Sequence, residues 1–499
     1  MKPIDRRQFL TLGISAAAGA ALLRSGYLRA GEHGTGGGHH GPMGAMHGGM
    51  MAEGQAALLP PDALPQGGPL KPLPLLPGRN GKHFRANITA AEHRIELLPG
   101  KPTAFFTYNG HLPGQLIELT EGDTVSIEFV NRLNEETTVH WHGLPVPPDQ
   151  DGNPNDPVKP GERRLYTFTL PEGSAGTYWY HTHAHDLVSS QAYKGLAGAL
   201  IVRSADDPLK NLPEQHWLFS DLRLDSEGRL PENTMMDWMN GREGQFTLIN
   251  GQFRPAIEIS GTQRIRIWNA CNARYLHLAV PGAQWIVVGT DGGLLERPAE
   301  PVSSLLIAPG ERYEVVVRGA DGTSELQDIP YDRKKMMQPF QAETRNLGSI
   351  SLKNAAAVQL PATLRPIADL GEPTSFKQVV LSERMGRGMN NMFLINGKSY
   401  DMNRIDLTSR VNETEEWTVI NDSHMDHPFH LHGTQFIVTE RTLDGRTEQV
   451  AKALKDTVNL RPYESLKFRT VQLDKGIRMF HCHILEHENL GMMGQLRVE

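Results

Sequence analysis

From about residue 80 onward the chain is built of short runs in which apolar and polar residues alternate. Residues 124–130 read TVSIEFV, residues 264–268 read RIRIW and residues 416–420 read EWTVI. A period of two sends successive side chains to opposite faces of a pleated strand, so each run predicts a strand with one buried face. Gly, Pro and Asn punctuate the intervals, and no long stretch holds a helical period. The pattern predicts an all-β chain.

The three runs are related. Each ends at an asparagine: Asn131, Asn269 and Asn421. Nine and eleven residues beyond the first lie His140 and His142, and the same offsets from the third give His430 and His432. In the middle copy those offsets fall on Leu278 and Val280. A second echo follows in the same order: Pro160-Gly161-Glu162, Pro309-Gly310-Glu311 and Pro462-Tyr463-Glu464, each leading into another alternating run. Two independent echoes predict three β-sandwich domains, spanning 80–205, 206–370 and 371–499. The middle one has apolar residues where its neighbours have histidine.

The first 79 residues read differently. Arg6 and Arg7 precede a Gly- and Ala-rich apolar run over residues 9–23 that is too short for a comfortable membrane span. A paired arginine before a modest apolar stretch reads as a twin-arginine signal over residues 1–30. It implies the twin-arginine export machinery as a partner and a periplasmic location, and no other stretch is long and apolar enough for stable membrane insertion. Residues 31–79 form a His/Met/Gly/Pro-rich linker. Its first part carries His33, His39, His40 and His47 with Met43, Met46, Met50 and Met51. Such a tract is either a solvated spacer or a weak copper scavenger.

Composition narrows the chemistry. Two cysteines among 499 residues exclude a disulfide scaffold and a cysteine-rich zinc or iron–sulfur protein. A net charge of −7 argues against a nucleic-acid partner. The positive signal is 21 His and 18 Met, both able to ligate soft metals. Ten of the histidines fall in four tight clusters: His140 and His142; His181 and His183; His427, His430 and His432; His481, His483 and His487. Strand alternation puts His481 and His483 on one side and Cys482 on the other. A thiolate from Cys482 with imidazoles from His427 and His487 and a weak axial thioether from Met492 is the donor set of a blue-copper electron-transfer site. Zinc has no redox role and seldom takes methionine. Cys271 lies in the histidine-poor middle domain and is expected as a buried small apolar residue, unbridged to Cys482.

These clusters also carry a resemblance. HWHGLPVP, WYHTHAHD, HPFHLHGTQF and HCHILEHENLGMM resemble the four signatures of the multicopper oxidases, specifically the exported bacterial copper-efflux and laccase-like group. The similarity extends over essentially everything past residue 80, NACNAR around Cys271 included. It implies three cupredoxin-like Greek-key β-sandwich domains and four copper ions. The type 1 ion would be held by His427, Cys482, His487 and Met492, and the type 2 ion by His140 and His430. The type 3 pair would take His142, His181, His183, His432, His481 and His483. The implied reaction couples one-electron oxidation of four substrate equivalents to reduction of dioxygen to two waters.

Asp151 and Glu488 match the family's proton-supplying positions. Asp151-Gly152 is also a good turn dipeptide, and Glu488 is equally suited to orienting a ligand. The substrate stays open between cuprous ion, small phenolic or aromatic compounds, and ferrous or manganous ion. Met425, and Asp426 beside it, are the candidates for a substrate-copper site, although Ser423 stands where the family has an acid. The long methionine-rich insertion of some relatives is missing, which is expected to open the type 1 edge to phenols. What remains are Met235, Met236 and Met239, Met336 and Met337, and Met385, Met389 and Met392 at the spacing of a helical face. A role in copper tolerance and a monomeric state are expected. A copper nitrite reductase and a periplasmic copper-sequestering protein are the rival readings, both disfavoured by a complete ligand set.

Overall fold

The computed structural model describes residues 57–384 and 392–499. The expected twin-arginine segment, the His/Met tract, and Met385 and Met389 lie outside the described residues. Within them the regular structure is almost wholly strand, with three short α-helices, Val188–Tyr193, Met235–Asn240 and Leu485–Asn489, and one 3-10 turn, Pro148–Gln150. No described helix is long and apolar enough to cross a membrane.

The sheets fall into three pairs in chain order. In the first, a five-stranded sheet containing His83–Leu98 and Thr124–Asn131 faces a three-stranded one containing Gly176–His181. Val125, Ile127 and Phe129 from one layer meet Tyr180 and Leu200 from the other. The second pair has seven and five strands around Trp217, Ile267 and Trp285. The third has seven and five around Trp417, Phe429 and Phe480. Each inner face is the alternating apolar set read from the sequence, as two-layer packing requires.

The three echoed runs occupy equivalent places. Thr124–Asn131 pairs parallel with His83–Leu98 and antiparallel with Arg163–Thr169. Arg264–Asn269 pairs parallel with Glu214–Leu222 and antiparallel with Arg312–Gly319. Thr414–Asp422 pairs parallel with Ser375–Glu383 and antiparallel with Ser465–Val471. The two sequence echoes are physically joined. The backbone N–H of Asn131, Asn269 and Asn421 donates to the carbonyl of Glu162, Glu311 and Glu464, at 3.0, 3.2 and 2.9 Å. Each glutamate side chain in turn accepts from the N–H three residues earlier, at 3.3, 2.8 and 2.8 Å. The turn needs a left-handed residue before the glutamate. Gly161 and Gly310 supply it at φ 79° and 84°, and Tyr463 takes the same place at φ 60°. That is why PGE and PYE are the same motif.

Residues 57–79 depart from the expected linker. Leu64, Leu73 and Leu76 are buried, and the backbone bonds to the body at Leu224, Ala256 and Leu116. The segment is a strap across the first two sandwiches, because leucines at these positions find apolar ground that a free linker would leave in water.

A buried charge cluster of the middle sandwich also reaches the first, through the Thr177 hydroxyl. Glu314, fully buried, accepts from Arg264 Nε at 2.8 Å, Arg266 Nη1 at 2.6 Å and Thr177 Oγ1 at 2.6 Å. Removing one member strands the others without water, which typically costs about 3–5 kcal/mol. Glu314→Leu should lower the urea unfolding free energy by about that amount; a change below about 1 kcal/mol would show that the arginines find other partners.

Candidate metal centre

The histidine clusters converge because strand ends bring them together. His181 closes Gly176–His181 and exchanges backbone bonds with His140 at 2.8 and 3.2 Å. His427–Leu431 lies antiparallel to Gly476–Cys482, with His430 opposite His481 and Phe429 opposite Cys482. The first and third sandwiches thereby present eight imidazoles to one another.

Four sets of ligand atoms result. His142, His181 and His483 form one, and His183, His432 and His481 a second; within each, the ligand atoms lie within 4.8 Å of one another. His140 and His430 meet at 3.3 Å between their Nε2 atoms. The fourth is His427, Cys482 and His487, with His427 Nδ1 3.4 Å and His487 Nδ1 3.9 Å from the Cys482 sulfur. Met492 is buried in the same core, and its carbonyl accepts from Cys482 N–H at 3.0 Å. Cys482 therefore faces one set while His481 and His483 face two others, the division that strand alternation predicts. Cys271 is buried and unbridged, as expected, and its thiol is pushed up by burial.

These donor sets fit copper. All ten histidines are fully or almost fully buried. Burial holds His142, His181, His183, His430, His432, His483 and His487 well below the usual imidazole value and lowers His481 to about 3. They are neutral, so their inward nitrogens offer lone pairs to one another. His183 Nε2 and His432 Nε2 stand 3.2 and 3.1 Å from His481 Nε2, and both ring nitrogens of His483 have no hydrogen-bond partner. Buried acceptors facing acceptors are costly unless a cation lies among them. The Cys482 thiol, raised by burial, likewise becomes a thiolate only against a metal. Thiolate, imidazole and thioether are the donors that select copper.

Outer contacts fix which nitrogen points inward. Asp151 Oδ1 lies 3.0 Å from His140 Nδ1 and its Oδ2 3.2 Å from His432 Nδ1, so one buried carboxylate orients both rings with Nε2 toward the cluster. Glu488 sits 3.2 Å from His481 Nδ1 and 3.5 Å from His183 Nε2, its own proton affinity raised by burial. Phe393 stacks on His487 at 3.9 Å, and Trp179 on His181 at 4.2 Å.

Two expectations about the substrate edge fail. The edge is closed: His427 and His487 are fully buried. The remote nitrogen of His487 lies 3.2 Å from the carbonyl of Met239, in a helix of the middle sandwich that covers this side. Met425 and Asp426 are also committed elsewhere. The Met425 sulfur is buried against the Arg333 guanidinium at 3.3 Å, and Asp426 accepts from Tyr331 at 2.5 Å and Asn459 at 2.8 Å. Among the weak methionine candidates, Met239, Met336 and Met392 are core residues, whereas Met235 and Met337 are exposed. Sequence reading overlooked Glu383 and His424. Glu383 Oε1 lies 3.2 Å from His427 Nε2, and its Oε2 lies 2.8 Å from Nδ1 of the half-buried His424. Only the nearness of His424 to His427 hinted at them.

A cysteine–histidine centre joined through one strand to a closed cluster of eight histidines defines a copper-dependent oxidoreductase. Multicopper oxidase family models match residues 89–207, 174–325 and 373–499. The multicopper oxidase mco of Staphylococcus aureus is 32% identical over 442 residues, covering 86% of this chain and 91% of its own. A laccase of Bacillus subtilis is 27% identical, covering 87% of this chain and 97% of its own. The structure of a multicopper oxidase from Campylobacter jejuni, described as a metallo-oxidase, superposes with a TM-score of 0.87 at 48% identity, covering 89% of this chain and 98% of that one. The chain belongs to the multicopper oxidase family. It is an oxygen-reducing oxidoreductase with copper as cofactor, four ions being the family norm.

The depressed histidines fix the acid behaviour of the copper-free protein. Unfolded, each takes up its proton near pH 6.5; folded, it resists down to a much lower pH, about 3 for His481. Stability is therefore complete above about pH 6.5 and falls toward pH 3, by up to about 1.4 kcal/mol per pH unit for each histidine. Buried carboxyls work in the opposite sense, Glu486, raised to about 7, and Glu488 among them, but they are outnumbered by the eight histidines. Urea midpoints measured with chelator between pH 7.5 and 4.5 should fall steeply; a flat profile would contradict the buried neutral cluster.

Proposed function

We propose that the chain oxidises a small metal ion, cuprous ion foremost, at the Glu383–His424 edge of the Cys482 centre. The role we infer is copper tolerance in the periplasm, reached by twin-arginine export. In this reading His427, Cys482 and His487 would hold the type 1 copper, with the Met492 thioether as a weak further donor. His140 and His430 hold the type 2 ion, and His142, His181, His183, His432, His481 and His483 hold the type 3 pair. Bound copper supplies one-electron oxidation at the first centre and four-electron reduction of dioxygen at the cluster.

The protein's own residues do the rest. Cys482 is bonded through the backbone to His481 and His483, so the two centres share a covalent path one residue long in either direction. Asp151 keeps Nδ1 of His140 and His432 protonated, and burial of all three excludes bulk water from that contact. Glu488, buried beside His481 and holding its proton more tightly than an exposed glutamate, is placed to release it where water is formed.

The observation that carries the substrate reading is the capping of both type 1 imidazoles. Met239 closes off one, and among the described residues the other is capped by Glu383, which also meets the half-buried His424. A carboxylate beside an imidazole is a ligand pair for a metal ion and too small for an aromatic ring. The metallo-oxidase description of the Campylobacter jejuni relative supports the same class. A phenol reading rests on a different feature, an open groove of about 460 Å³ lined by His185, Trp238, Tyr400 and Leu490, close in sequence to Met492.

Oxygen uptake with cuprous ion, ferrous ion and a phenol separates the two. Glu383→Gln should lower kcat/KM for cuprous ion about 10- to 100-fold, or about 1.4–2.7 kcal/mol in transition-state stabilisation, and leave the phenol rate near that of the parent. Trp238→Ala should affect only the phenol. Equal loss for every substrate in Glu383→Gln would mean that the carboxylate serves the centre itself and not the incoming ion.

A further inference from the structure

The middle sandwich has no metal ligand, yet it reaches the histidine cluster. Arg312 begins the strand Arg312–Gly319 and is fully buried. Its Nη1 donates to Asp456 Oδ1 at 2.6 Å and its Nη2 to Asp456 Oδ2, a two-point grip on a carboxylate of the third sandwich. Nε of the same guanidinium donates to the carbonyl of Thr177 at 2.8 Å, in the strand of the first sandwich that ends at His181. One side chain of the middle sandwich thus holds both partners that build the cluster.

Asp456 passes the constraint on. Its Oδ1 lies 3.1 Å from His142 Nε2, with Thr457 Oγ1 2.9 Å from the same nitrogen. Its main-chain carbonyl lies 2.9 Å from His430 Nδ1. His142 consequently keeps its proton on Nε2 and turns Nδ1 inward, 3.4 Å from His181 Nε2, whereas His430 keeps its proton on Nδ1 and turns Nε2 inward. The residue pair 456–457 therefore sets opposite tautomers on two neighbouring histidines. Asp291, also from the middle sandwich, secures it from behind: one oxygen accepts from Arg312 N–H at 2.8 Å and the other from Asp456 N–H at 3.2 Å.

The fit is close enough to dictate a glycine. A Cβ on Gly143, next to His142, would lie 2.1 Å from Asp456 Oδ2 and 2.6 Å from Arg312 Nη2. On the cluster's other flank, a Cβ on Gly310 would lie 2.8 Å from the His483 ring.

We propose that Arg312 is a positioning residue for the histidine cluster, acting through Asp456 on His142 and His430, so that the ligand-free sandwich sets how tightly the cluster holds copper. The inference rests on the ligand assignment given above. A purely structural ion pair would lend stability alone. A positioning role predicts a selective change at two of the four sets.

The test uses the copper-loaded full chain, with copper per chain, the type 2 paramagnetic resonance signal, the blue absorption of the thiolate centre and the thermal midpoint as readouts. Arg312→Met should keep the blue absorption and one copper, but release cluster copper to a chelator 10- to 100-fold more readily, with the type 2 signal altered or lost. Arg312→Lys, which keeps the charge without the fork, should fall between and provides the measurement if the methionine variant does not fold. Arg264→Met removes an equally buried ion pair, to Glu314 within the middle sandwich, without touching Asp456; it should lower the thermal midpoint and leave four coppers. Four tightly held coppers and an unchanged type 2 signal in both Arg312 variants would overturn the proposal. An unchanged type 2 signal in His430→Ala would instead overturn the ligand assignment on which it stands.

Discussion

Eight imidazoles, sealed from water and aimed at one another across the seam between two sandwiches, set the terms for the rest of this molecule. Such an arrangement is unfavourable by itself, because buried nitrogen lone pairs repel and have no solvent to turn to. It persists because the two sandwiches are held in register by contacts that do not involve the metal. Copper then relieves the cost that the scaffold has accepted. Asp151, Glu488 and Asp456 each face a different part of the cluster, and each fixes a ring through the nitrogen that does not face the centre. The outer shell is as specific as the inner one.

The closed edge of the Cys482 centre gives this oxidase its character. The short helix Met235–Asn240 covers His487 from another sandwich. What reaches the surface is a relay of two polar side chains. Specificity on this account follows from which atoms are allowed to approach an imidazole nitrogen, more than from the depth or shape of a pocket.

Much of this was legible in the sequence. The alternating runs that end at Asn131, Asn269 and Asn421 are equivalent strands, and the glutamate echo is their hydrogen-bonded partner. Periodicity and spacing are local signals, and both survive into the fold. The histidine pairs were legible for the same reason, since spacing by two on a strand is itself geometry. The unread features depend on distant chain segments. Glu383 ends an ordinary alternating strand, Arg312 starts another, and Asp456 sits in a short extended segment; nothing beside them in the chain tells of a histidine. Met425 shows the reverse error: a residue close in sequence to a ligand lies in the bend between two strands with its side chain in the core, where an arginine from the middle sandwich meets it. Residues 57–79 carry linker-like proline and glycine, and only the surface awaiting Leu64, Leu73 and Leu76 makes them a strap.

The division of the cluster between two sandwiches also bears on biosynthesis. His140 and His430 meet across 290 residues of chain, and His481, His483 and His487 lie within its last nineteen. A nascent or clipped polypeptide that stops before residue 481 therefore lacks a member of every set except the His140–His430 pair. Three of the four ligand sets, all but the His140–His430 pair, are incomplete until the final strands have docked. Retention of the metal is thus a report that the whole chain has been made and folded, a form of quality control written into the connectivity of the protein.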